Sequence, residues 1–344
     1  MAPLRILTWN VHGGYLASLA HIGHTIYLPV RHDPANGYAG KPADTNLPPT
    51  LVEVPADEVD ALDLDVVLFQ SPRHYLDDQF LLLSPAQRGL PQVYLEHDPP
   101  RPHATDTSHP VDDPDLLLVH CTRFNALMWD NGRTPVRVVE HGVAETPGVH
   151  YQGDLARAVV VINDLATRGR RLGRDVVERV AEEAPVDLIG LRSEVLGGLG
   201  PLPHDELPSR IARYRCFLNP IRYTSLGLSM IEAMLAGVPV AALATTEIPS
   251  VIRHGDSGLL ALDAPTLAGH VRTLLDDPAL ARRIGAAGRE VARERFGIER
   301  FARDWTRVLE EAMDRGPVDR PGYPALAARP PAPALAPTAG GVPA

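Results

Sequence analysis

Short apolar runs bounded by turn residues recur along the chain at positions 4–9, 66–69, 92–95, 115–119 and 136–139, and again at 158–162, 186–189, 215–218, 238–243 and 258–261. The runs are nearly continuous rather than alternating, which is the mark of strands covered on both faces in a parallel sheet. Stretches with helical spacing of apolar positions lie between them, at 15–22, 123–130, 174–183, 228–236, 265–276, 278–287 and 299–313. Alternation of this kind predicts an α/β protein with helices on both sides of each sheet. Residues 31–55, rich in Pro, Gly and Asp, read as one long irregular loop. The pattern restarts after Gly148. With 344 residues in all and roughly 150 per domain, the expectation is two Rossmann-like doubly wound domains, residues 1–150 and 151–316, facing a cleft. Residues 317–344 hold eight of the 34 prolines and are expected to form a disordered Pro/Ala-rich tail.

Charge changes the picture by exclusion. There are 33 basic and 43 acidic residues, a net charge of −10, so the chain carries no global electrostatic footprint for a nucleic acid or an anionic membrane. Lys41 is the only lysine, and any anion site must therefore rely on arginine and backbone amides. Cys121 and Cys216 sit in apolar runs and suggest neither a disulfide framework nor a cysteine metal site. No apolar run reaches the ~18 residues of a membrane span, and the expectation is a cytoplasmic protein.

The stretch 219–240, NPIRYTSLGLSMIEAMLAGVPV, concentrates candidate chemistry. A strand end leads through a loop into a helix, whose first N–H groups lack intrahelical partners and point at the loop together with the positive end of the helix dipole. Ser225, Leu226, Gly227 and Leu228 thus form a candidate cradle for a phosphate or diphosphate. Glu232 stands near enough to the helix mouth to accept hydrogen bonds from a ribose diol.

These residues resemble the GT-B glycosyltransferases of the retaining group 1 type, also called glycosyltransferase family 4. Glu232-Ala233-Met234, Gly237-Val238-Pro239-Val240, the run 254–260 with Gly255 and Gly258, and the end of the chain from Leu274-Leu275-Asp276-Asp277-Pro278 through Arg295-Phe296 to Trp305 are similar to the family's parts in order. The resemblance implies a GT-B fold with the nucleotide mainly on the C-terminal domain and Glu232 on its ribose. The family's first glutamate, which contacts the donor sugar, falls at Thr224, which carries no charge to set beside a developing oxocarbenium ion. The family's diphosphate-binding arginine and lysine fall in the segment 163–174, where Arg168, Arg170 and Arg171 are candidates, with Arg222 in the neighbouring loop. On the N-terminal side Gly13 and Gly14 resemble the family's first glycine turn, His97 its donor-contacting histidine at a strand end, and His141-Gly142-Val143 its interdomain Asn-Gly-Val.

The loop 97–109 holds three histidines and two aspartates, but their spacing within a proline-interrupted loop is not that of a metal site, and a polar acceptor-binding loop is expected instead. The expected activity is transfer of a sugar from a nucleotide-diphosphate donor to an acceptor hydroxyl with retention of configuration, needing neither metal nor cofactor. The acceptor, whether glycan, lipid or small molecule, is not legible. Two alternatives stay open: a non-catalytic GT-B shell that binds nucleotide or sugar as a partner protein, which Thr224 motivates, and a GT-B sugar epimerase, which would bind the same nucleotide.

Overall fold

The structure, a computed structural model, describes residues 2–42 and 47–318. Seven strands form the first sheet: β1 (Arg5–Leu7), β2 (Thr25–Val30), β3 (Leu51–Pro55), β4 (Val66–Phe69), β5 (Gln92–Glu96), β6 (Leu117–His120) and β7 (Val136–Val138). Their spatial order is β3-β2-β1-β4-β5-β6-β7 and all neighbours are parallel. Five more form the second: β8 (Leu155–Val161), β9 (Val186–Ile189), β10 (Tyr214–Asn219), β11 (Val240–Leu243) and β12 (Leu259–Ala261), in the order β12-β11-β10-β8-β9, again parallel. The direction of winding reverses between β1 and β4 in the first sheet and between β8 and β10 in the second. In open α/β sheets such reversals leave a crevice beyond the carboxyl ends of the strands, where ligands bind.

β4, β6 and β11 are buried along their whole length, which explains why they read as unbroken apolar runs. β2 and β3 lie partly within or beside the region expected to be loop. β3 is an edge strand with Val52, Glu53 and Pro55 exposed, and an edge with one solvated side carries too few apolar residues to stand out. A helix from Pro278 to Phe296 also runs well past the expected end at 287. Its glycines are not breakers but close contacts. A Cβ at Gly285 would stand 2.0 Å from the carbonyl oxygen of Gly237, and one at Gly288 2.9 Å from that of Ser257. The helix begins on Asp277, whose side chain accepts from the amides of Ala279 and Leu280, with Pro278 in the first helical position where its missing N–H costs nothing.

The last helix, Ile298–Arg315, leaves the second half and returns to the first. Phe301, Trp305, Val308, Leu309 and Ala312 join Leu4, Ile6, Leu16 and Val93 in one core, and Trp305 Nε1 donates to the Tyr15 hydroxyl at 3.2 Å. The chain stays packed a little beyond it: Val318 is buried and its amide donates to the Gly89 carbonyl at 2.9 Å. The start of the expected tail is therefore corrected to beyond Val318, and residues 319–344 lie outside the described residues.

Candidate active site

The loop 220–227 leaves β10 at the carboxyl edge of the second sheet. It is held by Thr245 Oγ1 donating to the Ile221 carbonyl at 2.6 Å and by the Ile221 amide donating to Asn219 Oδ1 at 3.2 Å. The helix Leu228–Leu235 follows, with Gly227 at its N-cap and no side chain capping it. The dipole and the first-turn amides are thus left to the cleft. Ser225 and Leu226 are buried, while Thr224, Gly227 and Leu228 are half-buried. The opposite wall is the turn after β1, where Gly13 and Gly14 begin the helix Gly13–Leu19. The two walls nearly touch: a Cβ on Gly14 would lie 3.0 Å from Leu228 Cδ1, and one on Gly13 3.3 Å from Pro42 Cγ. Close approach, rather than backbone conformation, calls for glycine there.

The four candidate arginines divide into two pairs. Arg222 makes a two-pronged contact with Asp175, Nη1 to Oδ1 at 2.6 Å and Nη2 to Oδ2 at 2.8 Å, and Arg170 Nη1 reaches the same Oδ2 at 2.7 Å. The single Asp175 carboxylate is shared by these two and offsets one of their charges, and they in turn lower its pKa. Arg168 and Arg171, in contrast, have no ion pair among the described residues. The half-buried Arg171 guanidinium is pushed down by burial and by the neighbouring charges of Arg101 and Arg168. Arg101, Arg168 and Arg171 thus gather positive charge that Asp98, paired with Arg101, only partly offsets, a combination suited to an anion. The backbone joins this segment to the loop, since the amides of Arg222 and Tyr223 donate to the Arg171 carbonyl at 3.0 and 3.2 Å.

Histidines line the other wall. His97 follows β5 and is buried; its Nε2 pairs with Gln70 Oε1 at 2.8 Å, and its Nδ1 lies 3.8 Å from Cys121 Sγ. Gln70 is itself fixed by donating to Thr8 Oγ1 at 2.7 Å and to the Trp9 carbonyl at 2.8 Å. Burial, reinforced by His12 and His141, holds the His97 imidazole well below its usual pKa, and burial pushes His141 down to about 4. Both nitrogens of His97 therefore face protein, which places it at the cleft but turns its polar atoms inward. The accessible imidazole is His12, exposed to solvent, with its ring edge-on to His97 at 4.4 Å between centroids. Desolvation by the surrounding protein nevertheless lowers its pKa, with Arg168 adding to this and Asp98 and Glu96 opposing it. His12 was not among the residues singled out from the sequence, nor were Gln70, Asn125 and Asp175. Gln70 had a signal, being a polar residue set directly after a wholly apolar strand at its carboxyl edge. In the loop 98–109, Asp98 pairs with Arg101 at 2.5 Å and His109 with Glu96 at 3.3 Å.

Glu232, one turn into its helix, is nearly buried and lies 3.3 Å from His204 Nε2. It lines a small pocket bounded also by Val143, Glu145, Pro208, Leu235 and Ala236. The structure thus gathers Gly13, Gly14, Arg168, Arg171 and the loop 224–228 at one cleft, while Glu232 faces the pocket beside the interdomain linker.

Residues 169–277 match the family model described as "Glycosyl transferases group 1". They form a group 1 glycosyltransferase domain. Similar proteins include the 2-deoxystreptamine glucosyltransferase of Streptomyces kanamyceticus, 35% identical over 151 residues that make up 42% of this chain and 39% of that enzyme. The α-maltose-1-phosphate synthase of Mycolicibacterium smegmatis is 28% identical over 232 residues, 60% of this chain and 58% of the synthase. The matches to these relatives thus cover 39% and 58% of their lengths. Among solved structures, a sucrose-phosphate synthase from Thermosynechococcus elongatus superposes with a TM-score of 0.67 at 16% identity, covering 91% of this chain and all of that one. Anabaena HepE, solved with UDP and glucose, gives a TM-score of 0.60 at 15% identity over 90% of this chain and all of HepE. The two parallel sheets and these neighbours establish the GT-B fold around the group 1 domain. No helix among the described residues is long and apolar enough to cross a membrane.

Proposed function

We propose that this protein transfers a sugar from a nucleotide-diphosphate sugar to an acceptor hydroxyl, with retention at the anomeric carbon and without a metal or cofactor. One observation carries the reading. At the carboxyl edge of the second sheet, Arg168 and Arg171 make no ion pair among the described residues, and the Arg171 carbonyl is held by the loop that leads into the uncapped helix Leu228–Leu235. That combination fits a diphosphate, and the HepE structure holds UDP and glucose on the same fold.

The chemistry follows from charge. As the bond from the anomeric carbon to the diphosphate oxygen breaks, negative charge grows on the leaving group, where amides of the loop 225–228 and the two guanidinium groups meet it. The acceptor oxygen forms the new bond on the same face, and its proton passes to the departing diphosphate. No enzyme nucleophile takes part. Arginine and the helix dipole supply the neutralisation that a divalent ion gives elsewhere. Glu232 binds the ribose, and Thr224 offers the sugar a hydroxyl. The activity is placed in the cytoplasm, in keeping with two free, buried cysteines.

Thermal melting against UDP, ADP, GDP and their sugars tests the reading, because a ligand of the folded state raises the melting temperature by mass action. A shift with one base, followed by chelator-resistant transfer to an acceptor panel, is the expected result. Silence across the panel refutes it. Binding without transfer favours the second reading, a non-catalytic nucleotide-binding shell, for which Thr224 is the motivating residue. Free epimerised sugar formed without acceptor marks an epimerase instead.

A further inference from the structure

Several side-chain contacts cross from one half of the molecule to the other, and two of them converge on a single short helix. The helix Arg123–Met128 belongs to the first half. Thr122 caps it by accepting from the Asn125 amide at 3.0 Å. A second cap comes from the other half of the chain: Glu247 Oε2 accepts from the Phe124 amide at 2.8 Å. Glu247 is 3% exposed, a level at which an unpaired carboxylate is costly. It is held on its own side by Arg295 Nη2 at 3.0 Å and by the Ser250 hydroxyl at 2.5 Å, both on Oε1. Arg295 in turn pairs with Glu140 at the start of the linker.

The helix so gripped presents Asn125, which is fully buried. Its Nδ2 donates to the His97 carbonyl at 3.1 Å and to Ser225 Oγ at 3.3 Å. One side-chain amide thereby ties the histidine end of β5 to the diphosphate loop of the second half. Tyr223 strengthens the tie, its hydroxyl donating to the Pro100 carbonyl at 3.0 Å and its ring lying edge-on to Phe124 at 6.0 Å.

We propose that Glu247 and Asn125 form a latch that registers the two walls of the cleft, holding the loop 97–100 against the loop 223–228. Both are positioning residues, since neither reaches into the cleft. The latch closes when Glu247 seats on the Phe124 amide, and this brings Ser225 under Asn125. Opening the cleft for donor entry or product release breaks both contacts and exposes the first-turn amides of the helix to water. This inference deepens the proposed function, because closure brings the acceptor wall onto the bound donor.

The test uses the full chain and the variants Glu247→Ala, Glu247→Gln and Asn125→Ala. Small-angle X-ray scattering of the ligand-free protein reports closure directly. Glu247→Ala and Asn125→Ala are expected to enlarge the radius of gyration relative to the parent. Glu247→Gln keeps the shape and one acceptor oxygen but loses the charge that Arg295 meets, so it is expected to fall between. It also keeps the test available should the alanine variant fail to fold. With the nucleotide sugar chosen by the melting panel as probe, its slow hydrolysis to nucleoside diphosphate and free sugar should drop in kcat by roughly tenfold in the two alanine variants, the size of effect expected from losing a buried hydrogen bond across the cleft. Affinity for the nucleoside diphosphate should change less than about twofold, because the charged groups proposed to hold it, Arg168 and Arg171, lie in the second half and are left in place. Parental scattering in all three variants overturns the latch. A chain that binds no nucleotide while its variants still open removes the proposed function and leaves the latch standing.

Discussion

Replacing Arg171 by Gln provides a direct measure of whether the cleft is an anion site. Arg171 is half-buried, has no carboxylate partner among the described residues, and is repelled by Arg101 and Arg168. Arg170, one position earlier, is exposed and spends its charge on Asp175 at 2.7 Å. A hydrogen bond to a charged group contributes about 1.5–3 kcal/mol. With no internal partner to leave unpaired, Arg171→Gln should weaken a nucleoside diphosphate by about tenfold to a hundredfold. Arg170→Gln removes a screened surface charge and should cost less than about threefold. The variants should also differ in stability, since Arg171→Gln relieves repulsion and is expected to leave the melting temperature unchanged or raised. Isothermal titration with the diphosphate and with the bare nucleoside, at low and high salt, separates charge from base recognition, because salt weakens only the first. A loss for Arg170→Gln equal to or greater than that for Arg171→Gln, or an equal loss for nucleoside and diphosphate, would refute the assignment.

Four further outcomes are expected. Asp175→Asn frees Arg170 and Arg222, so diphosphate affinity should rise a few-fold in titration, and a fall would show that the pair is needed as a support. Glu232→Ala should weaken nucleoside and nucleoside diphosphate alike, whereas Thr224→Ala should leave both unchanged and affect only the sugar; unaltered nucleoside binding in Glu232→Ala would displace the ribose site. Gly142→Ala would put a Cβ 2.3 Å from Phe301 Cβ, and a loss of about 1–3 kcal/mol in urea denaturation is expected from such overpacking, with wild-type stability as the refuting result. Burial holds His74, His120 and His141 neutral, each with a pKa of about 4. Their unfolded values are higher, near 6.5, so the unfolded chain takes up protons first and stability falls as pH drops from about 6.5 towards 4. The urea midpoint should be lower at pH 5 than at pH 7, and an equal midpoint would mean that these imidazoles are solvated.

Hydrophobic pattern alone determined the class of the molecule. Strands buried on both faces have no polar side, so β4, β6 and β11 announced themselves, and the glycine and helix-start signals around 225–237 located the loop and helix that open on the cleft. The edge strand β3 and the full length of the helix Pro278–Phe296 were not legible, because an exposed strand face and a glycine in close helix packing look locally like loop. Arg168, Arg170, Arg171 and Arg222 were equivalent by composition. Only the fold, by bringing Asp175 against Arg170 and Arg222, divided them into paired and unpaired groups. The same holds for His97 and His12: strand-end position pointed to the first, but Gln70 and Cys121 occupy its nitrogens and leave the second facing the cleft. Local sequence specifies periodicity, caps and turns, which act over a few residues. Which charge is neutralised, and which wall closes on which, depends on contacts between residues as distant as Phe124 and Glu247, and those exist only once the last helix has returned to the first sheet and joined the two halves.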